Sequence, residues 1–381
     1  MPQSPQIPLP AWGETLPTKN KDLNLPNPGE FHSTTTKKIE QFNNFMISSQ
    51  SEQSASSSSS SSIVSMPRTL LTTITPAAYR VLLSTATPVS RVIPIDATWF
   101  MPNVPRDNKA EYQQERIPQL KFFDLDKYVS QSEYPHMLPS LSVMKQAFDE
   151  LKLHQNDSLV IYDKLGIFLS PRAAFTFALF GHPKVYLLDN YLSYKQCEYP
   201  LDTNPVKEDG SNDDVGEYEF ALNQEEFAEN YKKQVIEYDE LLELVKNGGL
   251  SEYLLIDARS NDRFTGSGEE PRPGLSSGHI PGAVNLPFPK LLDPSNNNQY
   301  KSKQQVEQIF QELIGEDGNV NDLLKKYPKG IIVMCGTGVT AVVLKFAIDC
   351  ILKLNVPVRV YDGSWTEWAS RAPSEYIQKD I

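Results

Sequence analysis

A repeat constrains this chain more than any other feature: one ordered series of apolar runs and polar punctuation occurs twice. In the first copy, Arg91-Val-Ile-Pro-Ile95 ends in Asp96-Ala97-Thr98-Trp99-Phe100 and is followed by Arg116-Ile117-Pro118 and Phe122-Phe123-Asp124. In the second, Tyr253-Leu-Leu-Ile256 ends in Asp257-Ala258-Arg259, with His279-Ile280-Pro281-Gly282-Ala283 and Val284-Asn285-Leu286-Pro287 after it. Further on, Ser158-Leu-Val-Ile-Tyr162, a loop, a helix from Pro171 and Lys184-Val-Tyr-Leu-Leu188 match Gly330-Ile-Ile-Val-Met334, a loop, a helix from about Thr340 to Leu354 and Val358-Arg-Val-Tyr361. Short β-branched runs alternating with amphipathic stretches such as Tyr238 to Lys246 predict the α/β class, with two domains, each a mostly parallel sheet flanked by helices. Ahead of the first copy, Leu70 to Thr73 predicts one more strand, and Thr75-Pro76 predicts a capped helix running to about Leu83.

The repeat divides the chain into residues 1–66, 67–200, 201–235 and 236–381. The extension 1–66, rich in Ser, Pro, Asn and Thr and including the run Ser56 to Ser62, lacks core-forming periodicity and is expected to be disordered. Within it, Met66 offers an alternative start. Ile63 to Thr98 carries Arg68, Arg80 and Arg91 with no acid before Asp96, as a mitochondrial presequence does; the strand and helix expected there are the stronger reading. From Glu208 to Glu229, nine acidic residues run without a Lys or Arg, so 201–235 reads as an acidic, solvated linker. The 381 residues, 39% of them hydrophobic, suffice for two cores. A net charge of -12 lacks the clustered positive field that nucleic acid or an anionic membrane requires, so neither is expected as a direct partner. No apolar run approaches the ~18 residues of a bilayer span, and a soluble chain is expected.

Three widely spaced cysteines, Cys197, Cys335 and Cys350, suit a reducing compartment and give neither a disulfide framework nor a metal site. Cys335 stands apart because it follows the strand Ile331-Ile-Val-Met334 and precedes a helix, the end of a parallel strand where open α/β sheets place ligands. In Cys335-Gly336-Thr337-Gly338-Val339-Thr340, the glycines can take positive φ and aim successive amides at one point, favouring a thiolate. Cys350, inside the following helix, is expected to be an inert small hydrophobe, and Cys197 is assigned no role. A cysteine phosphatase would share this strand, loop and helix, but it needs an arginine at position 341, which is Ala341.

The chain resembles the tandem rhodanese-type sulfurtransferases over roughly residues 69 to 381. The motifs recur in order: Asp257-Ala258-Arg259, Arg263-Phe264-Thr265-Gly266, Pro271-Arg272-Pro273-Gly274, Gly278-His279-Ile280-Pro281-Gly282, the cysteine loop, and Tyr361-Asp362-Gly363-Ser364-Trp365. The loop is similar to that of the 3-mercaptopyruvate sulfurtransferase branch, and the whole resembles most the fungal members implicated in wobble-uridine thiolation of tRNA.

This resemblance implies a catalytic second domain (236–381) and a non-catalytic first domain (67–200), with Asp163 where the repeat would place a nucleophile. It implies that Cys335 carries sulfur as a persulfide, that Arg263 and Arg272 grip the carboxylate and carbonyl of the donor, and that Gly336, Gly338, Val339 and Thr340 shape the binding loop. A relay of Asp126, His136 and Thr337 is implied as well, although Thr337 replaces the serine more usual in animal members. His279 is expected to fix a loop. Because Gly336 and Thr337 are neutral, 3-mercaptopyruvate is the expected donor and thiosulfate the weaker one. The partners implied are that donor and a thiol or protein acceptor, with no metal or organic cofactor. The expected location is cytoplasmic, with the mitochondrion as a second compartment, and the alternative function is a non-catalytic docking scaffold of a sulfur-relay pathway.

Overall fold

The computed structural model describes residues 69–101, 104–119, 121–206, 218–315 and 320–381. The expected extension 1–66, and most of the acid-rich run before residue 218, lie outside the described residues. The first half contributes β1 (Leu70–Ile74), β2 (Val92–Asp96), β3 (Ser158–Tyr162) and β4 (Lys184–Leu188). The second contributes β5 (Val235–Ile236), β6 (Tyr253–Asp257), β7 (Val284–Asn285), a short antiparallel pair β8 (Leu292–Asp293) and β9 (Gln299–Tyr300), β10 (Gly330–Met334) and β11 (Val358–Tyr361).

Both main sheets are parallel throughout, with strand orders β1-β4-β3-β2 and β5-β11-β10-β6-β7. The repeat read in the sequence is therefore a repeat of topology. Even the short β7 has a counterpart, since Asp96 bridges to Phe122 as Asp257 pairs with Asn285. The central strands β3 and β10 are buried at every position, as strands covered by helices on both faces must be.

Thr75 caps the helix Pro76–Ser84 by accepting the amide of Ala78, with Pro76 in the first turn. β1, this helix and β2 occupy residues 70–96, so that stretch belongs to the folded domain. Within the segment 201–235, the described residues 218–235 include a helix. Asn223 and Glu226 form a reciprocal capping box opening the helix Gln224–Gln234, and Phe227 and Tyr231, one turn apart, anchor it to the core. No helix among the described residues is long and apolar enough to cross a membrane.

Each half places a wholly buried helix behind its central strand, Ser170–Leu179 after β3 and Ala341–Phe346 after β10, the latter continuing in π-helical form over Ala347–Leu352. These equivalent helices pack on one another, and one core cluster runs through both halves. Phe175 and Phe177 each contribute on the order of 2 kcal/mol by burial there.

His182 closes the helix Ser170–Leu179 onto the loop before β3. Its Nδ1 lies 2.7 Å from the Tyr218 hydroxyl and its Nε2 2.9 Å from the Asp157 carbonyl. Burial pushes its pKa down to about 4. Between about 4 and the ordinary 6.5, the unfolded chain therefore binds a proton that the folded chain does not, and stability rises with pH by about 1.4 kcal/mol per unit from this residue. Denaturation at pH 7 and pH 5 should show the wild type losing roughly 2 kcal/mol more than His182→Gln. Equal losses would rule out a neutral buried imidazole.

Candidate active site

Cys335 lies directly beyond β10, buried at the floor of the site with 2% of its surface exposed. Its amide donates to Ser364 Oγ at 3.1 Å. On the outer side of the loop, the Cys335 carbonyl accepts from the Trp365 amide at 3.0 Å, and the Gly336 carbonyl accepts from the Thr366 amide at 3.0 Å and hydroxyl at 2.8 Å. The carbonyl of Gly338 accepts from Arg172 Nη1 at 3.3 Å. Within a trans peptide the carbonyl and the next N–H point in opposite directions, so these bonds turn the amides of Gly336, Thr337 and Val339 away from the staples. No protein acceptor among the described residues pairs with the amides of Gly336 through Thr340.

Of the two loop glycines, only Gly338 adopts positive φ, at 73°. A Cβ there would lie 2.5 Å from the Asp362 carbonyl oxygen. Gly336 has a different use: a Cβ on it would meet Arg263 Nη2 at 3.1 Å, so its bareness admits the guanidinium. Val339 packs with Trp99, Leu125 and Leu169 of the first half. Thr340 occupies the N-cap position of the next helix without a side-chain capping bond.

The two arginines singled out in the sequence stand in different electrostatic situations. Arg263 is held by Glu270, Nη2 to Oε2 at 2.6 Å, with Nε at 3.2 Å from both carboxylate oxygens. Glu270 also binds Arg259 Nη1 at 2.7 Å, and Arg259 pairs with Asp257 and lies over Trp365. Arg272 has no hydrogen-bonded or ion-paired partner among the described residues. Burial first, then the charge of Arg263, push its pKa below the ordinary guanidinium value, against the pull of Glu270 and Cys335.

The first half supplies the opposite wall. His136, itself in left-handed backbone conformation with φ 63°, lies with Nδ1 3.3 Å from Thr337 Oγ1 and Nε2 3.3 Å from Asp126 Oδ1. Trp99 Nε1 donates to Asp126 Oδ2 at 2.9 Å, and its ring meets that of His136 edge-on at 4.8 Å. The bond with His136 leads in holding the Asp126 carboxyl below the usual carboxylate range, partial burial opposing it. His279 is spent on its own loop: Nδ1 lies 2.9 Å from the Phe264 carbonyl, and the ring stacks on Phe264.

A Rhodanese-like domain family model matches residues 237–371. The thiosulfate sulfurtransferase TUM1 of Saccharomyces cerevisiae is 38% identical over 312 residues, covering 81% of this chain and 97% of that protein. The chain belongs to the tandem rhodanese-type 3-mercaptopyruvate/thiosulfate sulfurtransferase family. The 3-mercaptopyruvate sulfurtransferase of Escherichia coli is 34% identical, covering 73% of this chain and 89% of its own. The crystal structure of the yeast Tum1 protein superposes with a TM-score of 0.69 at 36% identity, covering 81% of this chain and 98% of that one.

In this sulfurtransferase the first half builds the same loop around a different group. Asp163, directly beyond β3, accepts at Oδ2 from the amides of Phe168, Leu169 and Ser170 at 3.1, 3.1 and 2.8 Å and from the Ser170 hydroxyl, and at Oδ1 from the Leu165 amide at 2.9 Å. Burial raises its pKa, and these bonds offset only part of the rise. The strand-end loop is thus a nest for an anion, filled here by the chain's own carboxylate.

Sequence reasoning passed over Glu270, Arg172 and Asp362 as site residues. The available signal for Arg172 was its position as the one charged residue of Ser-Pro-Arg-Ala-Ala-Phe-Thr-Phe-Ala-Leu, a helix buried throughout. Substituting Asp163→Ala leaves four amides without an acceptor, those of Leu169 and Ser170 buried and those of Leu165 and Phe168 half-buried, and should cost about 3 kcal/mol or more in chemical denaturation. A loss under about 0.5 kcal/mol would mean that water replaces the carboxylate freely.

Proposed function

We propose that this sulfurtransferase moves sulfane sulfur from 3-mercaptopyruvate, and less readily from thiosulfate, through a persulfide on Cys335. The observation that carries this is a cysteine beside a run of amides, Gly336 to Thr340, that have no acceptor among the described residues, next to an arginine, Arg272, that no carboxylate among them pairs with directly. A bound anion completes such a site, and a donor carboxylate and a persulfide sulfur are both anions.

The Cys335 thiolate attacks the donor sulfur and the carbon–sulfur bond breaks. Its electron pair passes into the pyruvate enolate, which is then protonated. His136, between Thr337 and Asp126, carries a proton between donor and enolate, with Asp126 orienting the ring. In the second half-reaction an acceptor thiolate attacks the outer sulfur, the S–S bond breaks and the Cys335 thiolate returns. Two half-reactions give ping-pong kinetics, and no metal or organic cofactor takes part. Arg272 grips the donor carboxylate, and Arg263, pre-oriented by Glu270, presents its remaining donor to the carbonyl.

In this reading residues 67–200 form a silent domain, because the Asp163 carboxylate cannot hold a persulfide, and residues 236–381 form the catalytic one. The acceptor is a protein thiol that feeds 2-thiolation of tRNA uridine. We place the enzyme in the cytoplasm, with a mitochondrial form.

Exposure of wild type to 3-mercaptopyruvate should add about one sulfur mass at Cys335. Cys335→Ser should show no loading and no turnover; loading that survives this substitution, or turnover of an aryl phosphate that it abolishes, would refute sulfur transfer. Arg272→Met should raise KM for 3-mercaptopyruvate by about tenfold or more, the loss of one charge-assisted pair, with sulfur loading still on Cys335. An unaltered KM would remove Arg272 from donor binding. If Cys335→Ala leaves uridine thiolation in cells unchanged, a docking scaffold becomes the better description.

A further inference from the structure

We infer that Arg172, contributed by the half without a cysteine, is a positioning residue for sulfur transfer that acts together with Asp362; this rests on the reading of Cys335 as the sulfur carrier. Arg172 and Asp362 are each 1% exposed and meet at 2.5 Å, Nη2 to Oδ1. From that position Arg172 Nη2 also donates to the His136 carbonyl at 2.8 Å, and Nη1 donates to the Gly338 carbonyl at 3.3 Å. The other oxygen of Asp362, Oδ2, accepts from the Leu138 amide at 2.8 Å. One buried ion pair therefore ties together the loop that bears the thiol, the backbone of the imidazole loop and the end of β11.

Stability alone is a poor reason for such a pair. Two buried charges lose solvation that their attraction barely repays, and neutral groups of similar volume often serve the fold as well. Geometry supplies a better one. Holding the Gly338 carbonyl toward Arg172 turns the Val339 amide to the opposite side, away from the guanidinium and into the set of unpaired loop amides. The same guanidinium fixes the carbonyl of His136, a non-glycine residue at φ 63°, and with it the ring that faces Thr337. A planar guanidinium with several fixed donors can hold these three acceptors at once. The ammonium of a lysine, a point charge on a flexible stem, cannot.

The test uses the full chain and two variants. Arg172→Lys keeps the charge opposite Asp362. Arg172→Met with Asp362→Asn removes both charges and leaves an amide oxygen for Leu138. Folding is followed by circular dichroism and thermal melting, and kcat and KM are measured with 3-mercaptopyruvate at saturating acceptor. The expected result is two folded variants whose kcat falls about tenfold to a hundredfold while KM stays within about threefold, the pattern of an interaction realised in the transition state. A kcat within about twofold of wild type in either folded variant overturns the inference. Unfolding of Arg172→Lys also overturns it, since the pair would then be an element of stability. Should the double variant fail to fold, Arg172→Lys decides. A wild-type chain that loads no sulfur on Cys335 refutes the sulfur-carrier reading itself, whereas normal wild-type loading with unchanged variants refutes only the role of Arg172.

Discussion

Two equivalent, wholly buried helices, Ser170–Leu179 and Ala341–Phe346, pack against each other, and that contact positions the two strand-end loops. Each helix starts where its half's strand-end loop finishes, so packing them together sets each loop against the other half. The cysteine loop receives His136 and Leu138 from the first half, and the Asp163 loop receives the turn before β9, where a Cβ on Gly166 would lie 3.0 Å from the Asn297 carbonyl oxygen. The cysteine loop is closed by residues that the other half carries, whereas the Asp163 loop supplies its own acceptor.

The two strand-end loops form a comparison within one chain. In both, a strand stops, the backbone turns, and amides are left facing one place. In the first half that place holds the Asp163 carboxylate, and the backbone requirement is met internally. In the second, carbonyls of residues 335, 336 and 338 are pinned outward by Trp365, Thr366 and Arg172, and the amides on the other side are left unpaired. Buried amides seldom stay without acceptors, and this is what supports the proposed anion at the second loop, where the first already contains a carboxylate.

Charge is apportioned in the same way around the site. Arg259 and Arg263 share the buried Glu270, which neutralises part of their field and fixes their planes. Arg272, following that glutamate by two residues, has no directly paired carboxylate among the described residues. Aligned motifs alone make the two arginines, Arg263 and Arg272, look alike. Their partners make them different.

What the sequence determined by itself was whatever is encoded over short range. The alternation of apolar runs and amphipathic stretches gave two parallel sheets, Thr75-Pro76 gave a helix start, and a cysteine between a β-branched strand and a glycine-bearing loop marked the site. The helix Gln224–Gln234 was missed because a dense acidic composition hid the spacing of Phe227 and Tyr231. Tertiary structure alone decided which amides stay unpaired, that Glu270 holds Arg263, and that Arg172 finds Asp362 across 190 residues. The reason is physical: periodicity specifies which face of an element is buried, but the partner of a buried charge is fixed only when two distant faces close on each other and water leaves.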